Sequence, residues 1–358
     1  METTAPRPRD RQASDYTDLA RDVRAAGLLE RRYGAYALRA AALAGGFGLV
    51  GTAFVRLGDS TWQLAVAAAL GALLAQAGYL AHDAAHQQVF ASPRANERAA
   101  LVLSNLVVGL SHGWWMRKHG RHHAGPNRRG ADPDIAPDVV VFTAEDGAAA
   151  QRAGGFRAWL AGHQGALFFP LLLLEGANLH RGAVAHVLRG GDARHRRAEA
   201  AMLAVRLGGL VALLLWTLPV GLAAAFLGVQ LAVFGLLLGG TFATNHIGMP
   251  IVPPDARIDF LRRQTLMSRN IRGGRWADLL MGGLNLQIEH HLFPSMPRAN
   301  LRRAQPLVRA HCAARGVRYT EMGLVETFGV VVRYLDRVGI GQRDAYQCPV
   351  TQQFRSAR

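Results

Sequence analysis

Leu207 to Ala243, LGGLVALLLWTLPVGLAAAFLGVQLAVFGLLLGGTFA, contains no ionisable residue. As a single helix it would be about 55 Å long, nearly twice the ~30 Å hydrocarbon core of a bilayer. Pro219-Val220-Gly221 sits near its middle, and a proline there interrupts the helical hydrogen bonding. The stretch therefore reads as two transmembrane helices, roughly 203–219 and 222–243. Toward the N-terminus, Ser60 to Ala81 is another uncharged run, and a fourth lies between Arg39 and Arg56. That last run is short for a bilayer, but both arginines can snorkel and lengthen it. Gly58-Asp59-Ser60 supplies a turn between the two, so they pair as a hairpin. The expectation is an all-α integral membrane protein. Four transmembrane helices in two hairpins would be joined by interfacial helices and a cytoplasmic, histidine-rich cap.

Composition agrees. Only 18% of the 358 residues are charged, against about 25% in soluble domains. A 50% hydrophobic content excludes disorder for most of the chain, and two cysteines, Cys312 and Cys348, exclude a disulfide scaffold. The formal charge of +16 suggests nucleic acid, yet the cations are arginines flanking apolar runs, with Lys118 the one lysine. That is the positive-inside pattern of a membrane protein, so nucleic-acid binding is set aside. The exterior turns at 57–60 and 219–221 hold no cation. Arg31, Arg32, Arg94, Arg117, Lys118, Arg121, Arg128, Arg129, Arg262, Arg263, Arg302 and Arg303 all fall inside in a four-span arrangement. Ala99–Leu110 and Ala158–Leu174 are shorter apolar stretches; either crossing alone would move later arginines outside, so both read as interfacial or re-entrant. Residues 1–30 are polar, lack the apolar core of a signal peptide, and read as a cytoplasmic tail. Residues 31–345 form one domain and 346–358 a C-terminal tail. The Ala/Arg/Gly-rich, lysine-poor composition points to a GC-rich genome and a bacterial plasma membrane.

Eight of the 14 histidines fall into a pattern. The first box is His82-Asp83-Ala84-Ala85-His86, the second His119-Gly120-Arg121-His122-His123, the third Gln287-Ile288-Glu289-His290-His291. His246 follows the fourth span in Thr244-Asn245-His246. Residues i, i+3 and i+4 share one helix face, so each box can aim its imidazoles together. Imidazole suits iron, copper, nickel and zinc. A structural zinc needs four ligands, so eight histidines suffice for two ions. No cysteine lies near a box, which argues against zinc ribbons and iron–sulfur clusters. Box one follows two spans and box three follows four, so all boxes land on one membrane face. His112, His163, His180, His186, His195 and His311 lack partners at helical spacing and read as interfacial or solvated. His180 and His186 lie where they could approach the site.

The order HxxxH, HxxHH, QxxHH resembles the membrane fatty acid desaturase family, and the glutamine of the third box its front-end and acyl-CoA or acyl-lipid branch. Supporting stretches are HGRHHAGPNRRGADPDI (119–135) and GLNLQIEHHLFPSMPR (283–298), with Ala26-Gly27-Leu28-Leu29 and Tyr334 to Gly339 resembling the family's ends. The resemblance implies a di-iron centre, two Fe ions, held by His82, His86, His119, His122, His123, His246, His290 and His291 at the cytoplasmic surface. Gln287 stands where many relatives have a ninth histidine, as a ligand or just outside the ligand set. Asn245 directly precedes His246, whereas some acyl-CoA desaturases carry an asparagine one turn earlier. Metal-bound histidines usually donate their second N–H to a carboxylate or carbonyl. Asp83, Asn127, Asp132, Asp134 and Glu289 are candidates for that role. Trp114 and Trp115 are candidates to line an acyl path or to anchor at the interface.

The implied reaction consumes O2 and two external electrons, removes hydrogen from two adjacent methylenes, and leaves a cis double bond and water. Many front-end members carry a fused cytochrome b5 domain that this sequence lacks. The expected electron donor is therefore a separate ferredoxin or flavoprotein reductase, and the basic face suits an acidic donor or phosphates of an acyl-CoA or lipid. The nearest alternative is a membrane di-iron hydroxylase of alkyl or lipid chains. A divalent-metal transporter is more remote, because it needs ionisable ligands near the bilayer midplane.

Overall fold

The structure is a computed structural model that describes residues 8–190 and 194–342. The chain opens with α1 (Pro8–Ala25), α2 (Tyr33–Leu57) and α3 (Gln63–Ala85). α4 (Pro93–Val102) runs into a π-helical turn, Leu103–Val108, before α5 (His112–Ala124). Then come α6 (Ala144–Ala153), α7 (Gly155–Gly162) and α8 (Phe168–Leu188). α9 (Arg196–Leu203) passes through a second π turn, Ala204–Gly208, into α10 (Gly209–Thr217), and α11 (Val220–His246) follows. The remainder holds α12 (Phe260–Leu266), β1 (Asn270–Arg272), α13 (Gly274–Leu280), α14 (Gln287–Leu292), α15 (Arg298–Ala314), β2 (Glu321–Gly323) and α16 (Leu324–Gly339).

Among the described residues, four helical segments are long and apolar enough to cross a membrane: α2, α3, the continuous Arg196–Thr217, and α11. The protein is an all-α integral membrane protein with the expected number of spans. The break between the last two falls at Leu218 and Pro219, where the sequence places it. α11 is central, lying against α3 on one side and α8 on the other. Small residues make these contacts close. A Cβ on Gly71 would come 2.6 Å from the Gln230 carbonyl oxygen, and one on Gly176 2.2 Å from that of Leu231.

The two ambiguous stretches differ from each other. Pro93–Val108 is a bent element, turning by 113° into α5. Gly109 makes the reversal at φ +91°, and the Gly109 and Leu110 amides both donate to the Ser104 carbonyl. The π turn frees carbonyls that an apolar surrounding would leave unpaired. Arg206 Nε donates to the Val107 oxygen at 2.7 Å, and His180 Nε2 lies 3.3 Å from that of Val108. Ala158–Leu174, expected as one interfacial piece, is instead two helices separated between His163 and Leu167. α8 then continues past Glu175 to Leu188, because its packing on α11 carries it through the point where hydropathy falls.

The segment read as an N-terminal tail holds α1, docked on the C-terminal layer. Leu19 and Val23 are buried with Leu28, Leu261, Leu292 and Val308, and the Tyr16 hydroxyl donates to the Leu292 carbonyl at 3.0 Å. Tyr16, Leu19, Ala20 and Val23 stand at i, i+3, i+4 and i+7, the stripe of an amphipathic helix, among flanking charges that hid it. β1 and β2 pair in parallel, Ile271 opposite Met322. Three-residue strands leave no alternation to read, so an all-helical sequence reading passes over them. The C-terminal tail expected over 346–358 lies outside the described residues.

Candidate metal centre

Each histidine box occupies a helix end. His82 lies in the last turn of α3 and His86 caps it; His246 is the last residue of α11. α5 starts at Ser111, whose hydroxyl accepts the Trp114 amide at 3.1 Å, and presents His119, His122 and His123 over its final turns. α14 carries His290 and His291 and is pinned from the side. Asn270 Oδ1 accepts the Ile288 amide, while Asn270 Nδ2 and the Tyr319 hydroxyl each donate to Glu289 at 2.7 Å. Glu289 is therefore engaged away from the box histidines.

The eight imidazoles meet in two adjoining groups. His82, His86, His119, His123 and His290 form one, His122, His246 and His291 the other, with ligand atoms in each within 4.8 Å of one another. In the first, His119 Nε2 is the hub, 3.1 Å from His82 Nε2, 2.8 Å from His86 Nε2 and 3.0 Å from His123 Nε2. His290 Nε2 adds to it, 3.2 Å from His123 Nε2. In the second, His122 and His246 bring their Nε2 atoms to 3.3 Å. Two nitrogens about 2.0–2.1 Å from one ion sit roughly 3 Å apart, so these spacings are those of neighbouring ligands.

Outside the rings, the second group is the better supported. His122 Nδ1 lies 3.0 Å from Asp132 Oδ2 and 3.3 Å from Asp134 Oδ2. Asn127, at φ +54°, donates its amide to Asp132 Oδ2 and its side-chain N–H to the His246 carbonyl. His246 Nδ1 donates to the Met267 carbonyl at 3.0 Å, and His291 Nδ1 to Gln264 Oε1 at 2.9 Å. Gln264 also donates to the His123 carbonyl. Asn245 donates to Gln287 Oε1 and the Leu284 carbonyl, leaving the Gln287 amide N–H₂ 2.9 Å from His246 Nε2. Asp83 forms a buried ion pair with Arg298 at 2.6 Å and stands 3.7 Å from His82 Nδ1. Arg269, fully buried, caps α11 by donating to the Thr244 and Ile247 carbonyls; burial pulls its pKa down to about 10. Gln264, Met267 and Arg269 had no local signature, since nothing near them in sequence marks a metal site.

Burial and the surrounding imidazoles hold His86, His119, His123, His290 and His291 well below their ordinary value. They are neutral, with the lone pair a metal requires. His122 goes the other way: burial opposes its charge, but the hydrogen bond to Asp132 and the charge of Asp134 outweigh burial and raise it. His290 Nδ1 and His291 Nε2 are buried without a hydrogen-bond partner. The converging Nε2 atoms, the neutral imidazoles and the orphaned Nε2 of His291 fit metal ions. His180 is hydrogen-bonded to the Gly176 and Val108 carbonyls instead.

A cavity of about 230 Å³ reaches the histidines. His119, His122 and His246 form part of its wall, and Phe142, Phe168, Leu172, Leu238 and Phe242 much of the rest. Trp115 lines it, stacked on His119 with ring centroids 4.6 Å apart. Trp114 lies elsewhere, facing Gly182 of α8.

Residues 59–323 match the sequence pattern described as fatty acid desaturase. The chain belongs to this family. It is 32% identical over 284 residues to the acyl-lipid (9-3)-desaturase of Physcomitrium patens, covering 77% of this desaturase-family chain and 53% of the moss protein. It is 28% identical to a delta 8-(E)-sphingolipid desaturase of Kluyveromyces lactis, over 95% of the chain and 61% of that protein. Against the delta(5) fatty acid desaturase fat-4 of Caenorhabditis elegans it is 31% identical, over 72% of the chain and 60% of that protein. The chain thus spans just over half to about three-fifths of the length of these relatives.

Proposed function

We propose that the protein is an O2-dependent desaturase that introduces a cis double bond into the acyl chain of a membrane lipid or acyl-CoA. The observation that carries this is the meeting of three distant histidine boxes and His246 beside a largely apolar cavity. Iron fits the donor set, and the ligands would be the five histidines of the first group and the three of the second. Bound there as a pair, iron supplies O2 activation with two external electrons, the chemistry needed to remove hydrogen from unactivated methylenes.

The chain's own residues do the rest. Asp132, Gln264 and the Met267 carbonyl fix the tautomer and tilt of His122, His291 and His246, so that Nε2 faces inward. Phe142, Phe168, Leu238 and Phe242 exclude water and hold a flexible chain against the histidine wall. Trp115 buttresses His119 from the cavity side. Electrons would come from a ferredoxin or flavoprotein reductase, drawn to the arginine-rich ends of the spans. That side reads as cytoplasmic, by the positive-inside rule. The relatives above come from a moss, a yeast and a nematode, so a bacterial plasma membrane rests on composition alone.

The test is a fatty-acid profile by gas chromatography–mass spectrometry. An aerobic host expressing the protein with a ferredoxin and its reductase is compared with one expressing His290→Ala/His291→Ala. New unsaturated acids in the wild type alone are expected. Hydroxylated lipids would instead make the protein a hydroxylase, and the same new products from the double mutant would remove the histidines from the reaction.

A further inference from the structure

The acyl cavity is not wholly apolar. Lys118 and Glu175 both line it, on α5 and α8. Lys118 gives one N–H to Asp134 at 2.9 Å and rests over the Trp114 ring at 5.8 Å. An ammonium has three donors, so it keeps others for a ligand. Glu175 accepts a hydrogen bond from Asn178 at 3.1 Å, on the same helix. A saturated hydrocarbon makes no use of either group, yet both line the cavity beside Phe168, Leu172 and Phe242.

The position of Lys118 is informative. Lys118 and His122 are four residues apart on α5, about one helical turn or 6 Å along the axis, on the same face. Whatever Lys118 holds therefore lies only a few carbons from the histidine wall. We propose that Lys118 and Glu175 bind the polar end of the substrate, the carbonyl of its acyl linkage, and so set which carbons lie against the metal centre. Lys118 donates to the carbonyl oxygen; Glu175 accepts the N–H where the linkage is an amide. Esters and thioesters engage Lys118 alone. This assignment rests on the desaturase reading, and it makes the site count from the carbonyl rather than from the methyl end.

Two readouts test it. In metal-free protein purified in detergent, methyl palmitate, palmitoyl-CoA, palmitamide and hexadecane compete with a fluorescent acyl ester for the cavity. Carbonyl ligands are expected to outcompete hexadecane roughly tenfold or more, the worth of one hydrogen bond to a charged group. Lys118→Met should erase that preference, and Glu175→Leu should erase only the extra preference for palmitamide. A tighter palmitamide identifies an amide carrier; a tighter palmitoyl-CoA or methyl ester identifies a thioester or ester. Hexadecane binding as well as the others, or a preference untouched in both variants, overturns the proposal. This arm is independent of turnover, so it stands apart from failure of the desaturase reading.

In cells, double-bond position is the second readout. Glu175→Leu leaves every histidine contact in place, so a broadened or shifted position supports the assignment when an amide lipid is the substrate. Lys118→Met should shift it for every carrier, while Lys118→Arg, which keeps the donor, should restore the wild-type position. An unchanged position in Lys118→Met, with product merely reduced, would make Lys118 only a prop for Asp134 and overturn the proposal.

Discussion

The two histidine groups are built differently. In the first, four imidazoles gather about His119, and among the described residues His82 Nδ1 and His290 Nδ1 have no hydrogen-bond partner. In the second, three imidazoles are each gripped from behind: His122 by Asp132, His246 by the Met267 carbonyl, His291 by Gln264. One group gains definition from ligand number, the other from its supports. The expected consequence is that the first fails when a ligand is lost, and the second when a support is lost.

His119→Ala carries the largest expected effect. It removes the hub of the first group, so turnover should fall below detection and metal per chain by about half. Metal analysis of the purified variant checks this; undiminished metal would show that the first group does not bind it. Asp132→Asn comes next. It keeps the shape but weakens the hold on His122, and loss of such a support typically costs 10–100-fold in metal affinity. Chelator titration should then release one ion early and leave the other; simultaneous release would dissolve the distinction between the groups.

Acid should act on both groups, through four histidines of the first and His291 of the second. His86, His119, His123, His290 and His291 are neutral in the fold with pKa values below the unfolded 6.5. Below pH 6.5 the unfolded chain takes up protons that the fold refuses. Their stabilisation is therefore complete above 6.5 and declines as pH falls, by up to about 1.4 kcal/mol per pH unit per group. His122 is raised, so its contribution is full below 6.5 and disappears above its own folded value. Metal-free protein should melt at a lower temperature at pH 5.5 than at 7.5, as a pair of thermal scans would register. Glu289→Gln should matter least to metal. Its carboxylate serves Asn270 and Tyr319, so a lower melting temperature with unchanged metal content is expected.

Much of this was legible in the sequence. The long uncharged runs marked the four spans, and histidine spacing picked out seven members of the two groups, with His246 standing apart as the histidine just past the fourth span. The parity of spans placed the boxes on one side, because charge is costly to move across a bilayer. Less legible were features that depend on distant partners. α1 hid its apolar stripe among charges, α8 outran its hydropathy, and β1–β2 pairing joins segments some fifty residues apart. The supports divided the same way. Asp132 and Asp134 sit ten and twelve residues beyond His122 and were visible beside the box. Gln264 and Met267 come from the far side of α11, and only folding brings them to His291 and His246.

The most direct measurement is iron per chain in protein purified from iron-replete cells, for the wild type and His119→Ala side by side. Two ions per wild-type chain and about one in the variant are predicted. One ion or none in the wild type, or two in the variant, would contradict a two-metal centre built from these eight histidines.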